Sequence, residues 1–235
     1  MPRIGWGLLS PSPFCTKLEI VLRMRGERYE LRPTLSPRRA PRGKLPWIEL
    51  AGERIADSSE IVRFLERRAD LLHEQTVAPE ARARAHLVQR TSEESLYFVL
   101  VAERWRIPAL RERYAEDLFS SAPRLARAAI ARVFAPILER QLWQQGYGRH
   151  QLQTLLEMGK ADLDAVARAL GEAPYFTGDR PRAVDASVFG LLANIWYIPV
   201  DTALRQALAE HGNLVRFLER MREQYAADVP RVVPA

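Results

Sequence analysis

The hydrophobic pattern of the chain changes type between Leu72 and Pro79, and this change limits the folds that the chain can adopt. Before it, short alternating segments typical of strands mix with helical segments, in the order β-α-β and then β-β-α. After it, the periodicity is helical throughout. The sequence therefore predicts an α/β domain over residues 1–74, followed by an all-α domain over residues 79–235.

Individual elements can be predicted from the same pattern. In the first domain we expect helices beginning after Ser12 and at Asp57 or Ser58, because Ser and Asp are common helix N-caps. Strands are predicted at residues 4–8, 29–32, 47–50 and 54–55, the last two joined by a turn at Ala51-Gly52. Helices of the second domain are predicted at residues 80–106, 108–120, 123–145, 151–170, 184–197, 202–211 and 213–225.

Composition argues against several classes of protein. The net charge is +6, but most arginines alternate with acidic residues along helical segments, which is typical of solvated helix faces. We therefore expect no nucleic-acid partner. The single cysteine fits a reducing compartment, and no apolar run reaches the roughly 20 residues that a membrane span needs. The sequence predicts a cytoplasmic protein without a membrane span, and its four histidines show no metal-ligand spacing.

The predicted start of the first helix carries a hydroxyl and a thiol. As an N-cap, Ser12 before Pro13 would satisfy a free amide of the first turn. As a site residue, it could donate a hydrogen bond to a thiolate bound at the positive end of the helix, and the two roles are compatible. Cys15, in the same turn, is interpreted as a small buried side chain, with a reactive thiolate as the alternative.

Two further segments carry candidate ligand-binding groups. Pro46 either starts an edge strand or forms a cis peptide bond that turns the backbone of Leu45 outwards, where it could clamp a peptide. Asp57 and Ser58 are helix caps by default, but a helix start with these groups could also receive a carboxylate and an ammonium. Lys44, with the arginines among residues 38–42, could meet a second carboxylate.

Taken together, these segments resemble the glutathione transferase superfamily. Ser-Pro-Phe-Cys-Thr-Lys-Leu is similar to the first helix of serine-type members, Lys-Leu-Pro-Trp to their cis-proline strand, and Asp-Ser-Ser-Glu to their γ-glutamyl-binding helix. The resemblance implies a thioredoxin-like first domain with glutathione as co-substrate, and a homodimer. It implies the following site: Ser12 as the catalytic hydroxyl, the Leu45 backbone and cis-Pro46 as a clamp, Asp57 and Ser58 on the γ-glutamyl group, and Lys44 on the glycyl carboxylate.

Later segments resemble the failed-axon-connections and metaxin-like branch of that superfamily. They include Glu-Glu-Ser-Leu-Tyr ending at Tyr97, Arg-Trp ending at Trp105, and Phe-Thr-Gly-Asp-Arg-Pro before Arg182. Arg182 stands where the superfamily usually has Ser or Thr as a cap, so Asp185 is expected to act through a different partner. Some members of this branch look like scaffold or import components, which keeps a non-catalytic role open.

The function implied by the resemblance is detoxifying conjugation of glutathione to a small apolar electrophile. Cys15, Tyr97 and Trp105 are the candidates for the electrophile pocket, although aromatic residues at helical spacing are also typical of a core. Two alternatives remain. One is a non-catalytic scaffold or interaction subunit with the same fold, and the other is a glutathione-dependent thiol-exchange enzyme that uses Cys15.

Overall fold

The computed structural model describes residues 6–34, 40–120 and 122–230. Its first part contains helix α1 (Pro13–Met24), strands β1 (Trp47–Leu50) and β2 (Glu53–Ala56), and helix α2 (Ser58–Arg68). The two strands form an antiparallel hairpin in which Trp47 lies opposite Ala56 and Leu50 lies opposite Glu53. The predicted hairpin and both predicted helix starts are therefore confirmed.

Two predicted strands are wrong. Residues 6–8 lie in and after a turn, and residues 29–32 have no regular structure, while residues 4 and 5 lie outside the described residues. Trp6 and Leu8 are each only 2% exposed, so these apolar side chains are buried in a segment that does not pair as a strand. The Trp6 indole N–H donates to Asp117 Oδ2 at 2.6 Å, which anchors this segment to the helical part of the chain.

The second part is helical, as predicted. A short 3₁₀ turn at Glu74–Thr76 precedes it. The limits of the two predicted domains stay a prediction. Its elements are α3 (Pro79–Arg90), a π-helical turn (Thr91–Leu96), α4 (Tyr97–Arg106), α5 (Pro108–Leu118), α6 (Arg124–Gln145), a 3₁₀ turn (Tyr147–Arg149), α7 (Leu152–Leu170), α8 (Ala183–Trp196), α9 (Ala203–Ala209) and α10 (Gly212–Tyr225). In the described ranges, no helix is long and apolar enough to cross a membrane.

Helix α8 forms the centre of the core, and α1 packs directly on it. Every residue of α8 from Val184 to Ile195 is buried. The close approach depends on Gly190, where a Cβ would lie 2.5 Å from the carbonyl oxygen of Pro13. The first turn of α1, which carries the candidate hydroxyl, is thus positioned by a glycine of the second part of the chain.

The start of α8 shows what replaces the expected cap. The Asp185 carboxylate accepts hydrogen bonds from the backbone N–H of Arg182 at 2.8 Å and from that of Phe176 at 2.9 Å. The Arg182 guanidinium has no acceptor atom, so it cannot return a cap bond. It donates instead to the carbonyls of Leu72 and His73 and to Thr76 Oγ1, and so holds the segment between the two predicted domains against α8.

Burial of Asp185 predicts a pH effect on stability. Desolvation raises the pKa of this carboxyl group from 3.8 to about 7, against its two backbone hydrogen bonds. The folded chain then keeps a proton that the unfolded chain releases, so this group's stabilisation is complete below its unfolded pKa and is lost as the pH rises through its folded pKa. We expect Asp185→Asn to flatten the fall in the free energy of unfolding between about pH 4 and about pH 7, measured by urea denaturation.

The matched control for this experiment is Asp164→Asn, which removes a carboxylate that is 48% exposed. In Asp164→Asn, the free energy of unfolding should vary with pH in parallel with that of the native protein. Other buried carboxyl groups with raised pKa values, such as Glu103, leave part of the slope in place. If the free energy of unfolding of Asp185→Asn fell with pH as steeply as that of the native protein, the raised pKa of Asp185 would be contradicted.

Candidate functional site

The N-terminus of α1 presents the Ser12 side chain. Ser12 is the N-cap, and its Oγ accepts a hydrogen bond from the backbone N–H of Cys15 at 3.4 Å, which confirms the predicted cap. The backbone N–H of Ser12 donates to Ser10 Oγ at 3.2 Å. Within the described ranges, no hydrogen bond uses the hydroxyl hydrogen of Ser12, so this half-buried group can still donate to a ligand. Its catalytic role stays a prediction.

The hairpin and α2 carry the other predicted ligands. The Leu45–Pro46 peptide bond is cis, as the resemblance implied. Asp57 has φ 77° and caps α2 by accepting from the backbone N–H groups of Ser59 and Glu60 at 2.9 and 3.1 Å. Ser58 is the first residue of α2 and is 4% exposed.

Of the predicted cationic ligands, only some lie within the described residues. Lys44 is exposed and forms no ion pair with a described carboxylate, so its ammonium can meet a ligand carboxylate. Arg42 is likewise exposed, whereas Arg38 and Arg39 lie outside the described residues. The roles assigned to Lys44, Leu45, Pro46, Asp57 and Ser58 stay predictions.

A buried ion pair that the sequence analysis missed links α1, α2 and the second part of the chain. Lys17 and Glu93 are 2% and 8% exposed, and Lys17 Nζ lies 2.6 Å from Glu93 Oε1. Lys17 also donates to Ser59 Oγ at 2.8 Å, and Ser187 Oγ donates to Glu93 Oε1 at 2.6 Å. Because Ser59 follows the predicted γ-glutamyl ligands, this pair braces the start of α2 against α1. Desolvation lowers the pKa of Lys17, and the Glu93 carboxylate opposes that effect.

The sequence did contain a signal for this pair. Lys17 lies three residues after Phe14 and four before Val21, on the face of α1 that the apolar spacing predicts to be buried. A charged residue at such a position needs a buried partner of opposite sign. The sequence could not identify that partner, because Glu93 lies in the π-helical turn that interrupts the predicted 80–106 helix.

The space beside the ion pair is small. It measures about 10 Å³ and is lined in part by Lys17, Ser92, Glu93 and Ser187. The Ser92 hydroxyl is buried there and finds no hydrogen-bond partner in the described part of the chain. A cavity of this size and polarity holds one water at most, so it is not where a tripeptide binds.

A row of aromatic rings extends from the first turn of α1 along the second part of the chain. Ring centroids are 4.8 Å apart for Phe14 and Tyr97, 5.1 Å for Tyr97 and Phe98, and 5.4 Å for Phe98 and Tyr147. All four side chains are half-buried. Burial raises the pKa of Tyr97 to about 12, so its hydroxyl stays protonated at neutral pH. The four rings together are called the aromatic row below.

The other pocket candidates lie in different surroundings. Cys15 is half-buried and free, in the same turn of α1 as Phe14. Trp105 is 8% exposed and packs edge-on against Tyr114 at 5.7 Å, in the main hydrophobic core. The packing supports the core interpretation of Trp105, and its place in an electrophile pocket stays a prediction. Among the described side chains, no cluster of His, Cys, Asp or Glu is arranged to hold a metal ion.

Comparison with known proteins places this arrangement in a family. Residues 13–112 match the glutathione S-transferase N-terminal domain, and residues 159–221 match the glutathione S-transferase C-terminal domain. The isoprene-epoxide–glutathione S-transferase of Rhodococcus sp. is 30% identical over 230 residues, which cover 94% of this chain and 95% of that protein. The chain belongs to the glutathione S-transferase superfamily.

Other relatives come from the branch that the sequence resembles. Failed axon connections of Drosophila melanogaster is 29% identical over 233 residues, and Metaxin-2 of Homo sapiens is 26% identical over 196 residues. The chain spans 56% of the length of the fly protein and 72% of the human one. The predicted resemblance is therefore confirmed for both the superfamily and this branch.

Solved structures confirm the fold class. A glutathione S-transferase from Methylobacterium radiotolerans, in complex with glutathione sulfonate, superimposes with a TM-score of 0.60 and 22% identity, covering 96% of this chain and 93% of that one. A glutathione transferase of Bombyx mori superimposes with a TM-score of 0.61 and 18% identity, covering 94% of this chain and 88% of that one. The chain thus has a thioredoxin-like first part, in which the described residues form a two-stranded sheet, followed by a helical part.

Proposed function

We propose that the protein binds glutathione between the α1 N-terminus and the hairpin, and transfers its thiolate to a small apolar electrophile. The observation that carries the proposal is the position of the aromatic row. It begins at Phe14, two residues after Ser12, where the ring packs against Tyr97 at 4.8 Å. A thiolate held by the Ser12 hydroxyl would thus lie beside a half-buried apolar surface on which an electrophile can bind.

Each end of glutathione has a proposed partner in the first part of the chain. The Ser12 hydroxyl and the positive end of α1 stabilise the thiolate, and the Leu45 backbone pairs with the cysteinyl unit. Asp57 and Ser58, at the positive end of α2, hold the γ-glutamyl ammonium and carboxylate, and Lys44 meets the glycyl carboxylate. The Asp57 carboxylate can bind the γ-glutamyl ammonium because its oxygens can accept further hydrogen bonds besides the two from the backbone N–H groups of α2.

The proposed reaction is a nucleophilic substitution or ring opening. The glutathione thiol releases its proton to solvent, and the sulfur lone pair forms a new S–C bond. The bond from that carbon to its leaving group or epoxide oxygen breaks, and the oxygen takes up a proton from water. The name of the Rhodococcus relative makes a small apolar epoxide the first electrophile to test. The proposal includes a detoxifying role, a cytoplasmic location and a homodimer, the last to be tested by sedimentation.

A second candidate function rests on the similarity figures. The chain is 29% identical to Failed axon connections and 30% identical to the transferase, so its sequence does not separate an enzyme from an interaction subunit with the same fold. Calorimetric titration with reduced glutathione up to millimolar concentration distinguishes them. Saturable binding that Ser58→Ala weakens supports the transferase, and no binding supports the interaction subunit.

Replacement of the candidate hydroxyl tests the chemical step. We expect Ser12→Ala to lower kcat with an apolar epoxide about 10- to 100-fold, the value of one charge-assisted hydrogen bond, with little change in glutathione affinity. Ser12→Thr keeps both the hydroxyl and the helix cap and should retain most of the activity. Steady-state kinetics with both substrates varied provides the measurement. Equal turnover in Ser12→Ala would remove the role given to this hydroxyl, and loss on Cys15→Ser alone would favour thiol exchange.

A further inference from the structure

Arg104, a buried basic side chain of the second part, contacts the residues that come just before α1. Arg104 is 4% exposed and belongs to α4. Its guanidinium donates to the carbonyl of Pro11 at 3.2 Å and to the carbonyl and side-chain oxygens of Asn194 at 2.6 and 2.9 Å. It forms no ion pair with any described carboxylate, and its Nε finds no partner in the same ranges. This buried cation therefore has no carboxylate in direct contact within the described ranges.

The segment in front of this guanidinium is held in place from several helices. The hydroxyl of Tyr114 donates to the Pro11 carbonyl at 3.1 Å, beside the Arg104 bond. Asn194 donates to the Ser10 carbonyl at 3.2 Å. The residue after Pro11 is Ser12, whose hydroxyl has a free donor. The buried positive charge therefore lies one residue behind the proposed thiolate position, on the same side as the positive end of α1.

Isolated buried charges are costly, and most buried arginines have a carboxylate partner. An anion that arrives only with a ligand can supply the missing partner. The adjacent acid, Glu103, interacts with Arg104 only through space, and its carboxylate accepts instead from the backbone N–H of Leu204 at 3.1 Å at the start of α9. Cys15 and Tyr97 lie within electrostatic range of the same cluster, together with Tyr114.

We propose that Arg104 is a positioning residue for thiolate chemistry: its buried guanidinium fixes the Pro11–Ser12 segment and supplies positive potential to a thiolate bound at Ser12. This inference rests on the proposed function, because the thiolate in question is that of glutathione. It also predicts an effect that does not need glutathione. The single cysteine of the chain, Cys15, lies in the first turn of α1 and experiences the same potential.

The test compares Arg104→Gln with Arg104→Lys. Gln keeps a donor for the carbonyl acceptors but removes the charge, whereas Lys keeps the charge but loses the planar fork. The rate of Cys15 alkylation by iodoacetamide at neutral pH, without glutathione, is expected to fall several-fold in Arg104→Gln and to stay near native in Arg104→Lys. The pH at which enzyme-bound glutathione thiolate appears in the ultraviolet absorbance should rise by about one unit in Arg104→Gln.

The matched control is Arg182→Gln. Arg182 is also buried, also has an unpartnered Nε and also donates to carbonyls, but it lies twelve residues before Asn194, about 18 Å along α8. Arg182→Gln should leave the rate of Cys15 alkylation unchanged. Should Arg104→Gln fail to fold by circular dichroism, Arg104→Met offers a second neutral variant of similar length.

The outcomes separate this inference from the proposed function. A lowered rate of Cys15 alkylation in a folded neutral variant, with no glutathione binding by the native protein, supports the role of the charge and rejects the transferase. A native alkylation rate in a folded neutral variant overturns the inference, whatever the result with glutathione. An equal fall in Arg182→Gln also overturns it, because the effect would then follow any lost buried charge.

Discussion

Gly190→Ala is expected to destabilise the protein by about 1–3 kcal/mol, the usual cost of overpacking a core, and to displace the first turn of α1. A Cβ at this position would lie 2.5 Å from the carbonyl oxygen of Pro13 and 3.1 Å from the backbone N of Lys17. Both are backbone atoms of α1, so no side-chain rotation can relieve the contact. The helices must move apart instead, and Ser12 moves with the turn that follows it.

Urea denaturation followed by circular dichroism measures this effect, and glutathione titration measures its consequence for the site. Gly212→Ala is the matched control, because the nearest atom to its added Cβ is the flexible end of Arg216, at 3.4 Å. Since alanine favours helices over glycine by about 1 kcal/mol, this control should be neutral or more stable than native. Native-like stability in Gly190→Ala would show that α1 and α8 pack less closely than described.

Local residue chemistry made much of the fold predictable. Ser12 and Pro13 start α1 because they suit the cap and first positions of a helix, and Asp57 starts α2 for the same reason. The hairpin follows from its alternating strands and the turn at Ala51-Gly52, both of which have positive φ. These features depend on neighbours within a few residues, which a single sequence contains.

What could not be predicted depends on contacts between distant segments. Trp6 and Leu8 are buried, but whether a buried segment pairs as a strand depends on a partner that the sequence pattern does not reveal. Arg104 was noticed only as part of a motif, because its acceptors Pro11 and Asn194 lie about 90 residues away on either side. The candidate ligands of the first part could be proposed from the sequence, since each lies at or near a helix start or a proline, and their roles stay predictions.

The largest single effect is expected from Glu93→Gln, which removes the carboxylate from the buried pair with Lys17. Breaking a buried ion pair from one side leaves an uncompensated charge and costs about 3–5 kcal/mol. In this variant the Lys17 ammonium, 2% exposed, keeps the Ser59 hydroxyl as a hydrogen-bond partner but loses its carboxylate. Urea denaturation at about pH 7 measures the loss, which is large compared with the typical stability of a domain.

The pH dependence of this loss of stability follows from the direction in which the pKa of Lys17 is shifted. Desolvation lowers the pKa of Lys17 below 10.5, and removal of Glu93 takes away the main opposing effect. The folded variant then binds fewer protons than the unfolded chain up to pH 10.5, so its free energy of unfolding rises with pH. The difference in free energy of unfolding between the native protein and Glu93→Gln should therefore shrink between about pH 7 and about pH 10.

The double variant Lys17→Met/Glu93→Gln separates charge from packing. Because it leaves no unpaired ammonium, it should be more stable than Glu93→Gln alone, with a coupling energy of about 1–3 kcal/mol. Asp164→Asn is the matched control: it breaks a pair with Arg168 in which the two side chains are 48% and 79% exposed, and it should change stability by less than about 1 kcal/mol. If the double variant were as unstable as the sum of its single changes, the pair would not be energetically coupled. The bracing of α2 against α1 would then rest on apolar packing rather than on this ion pair.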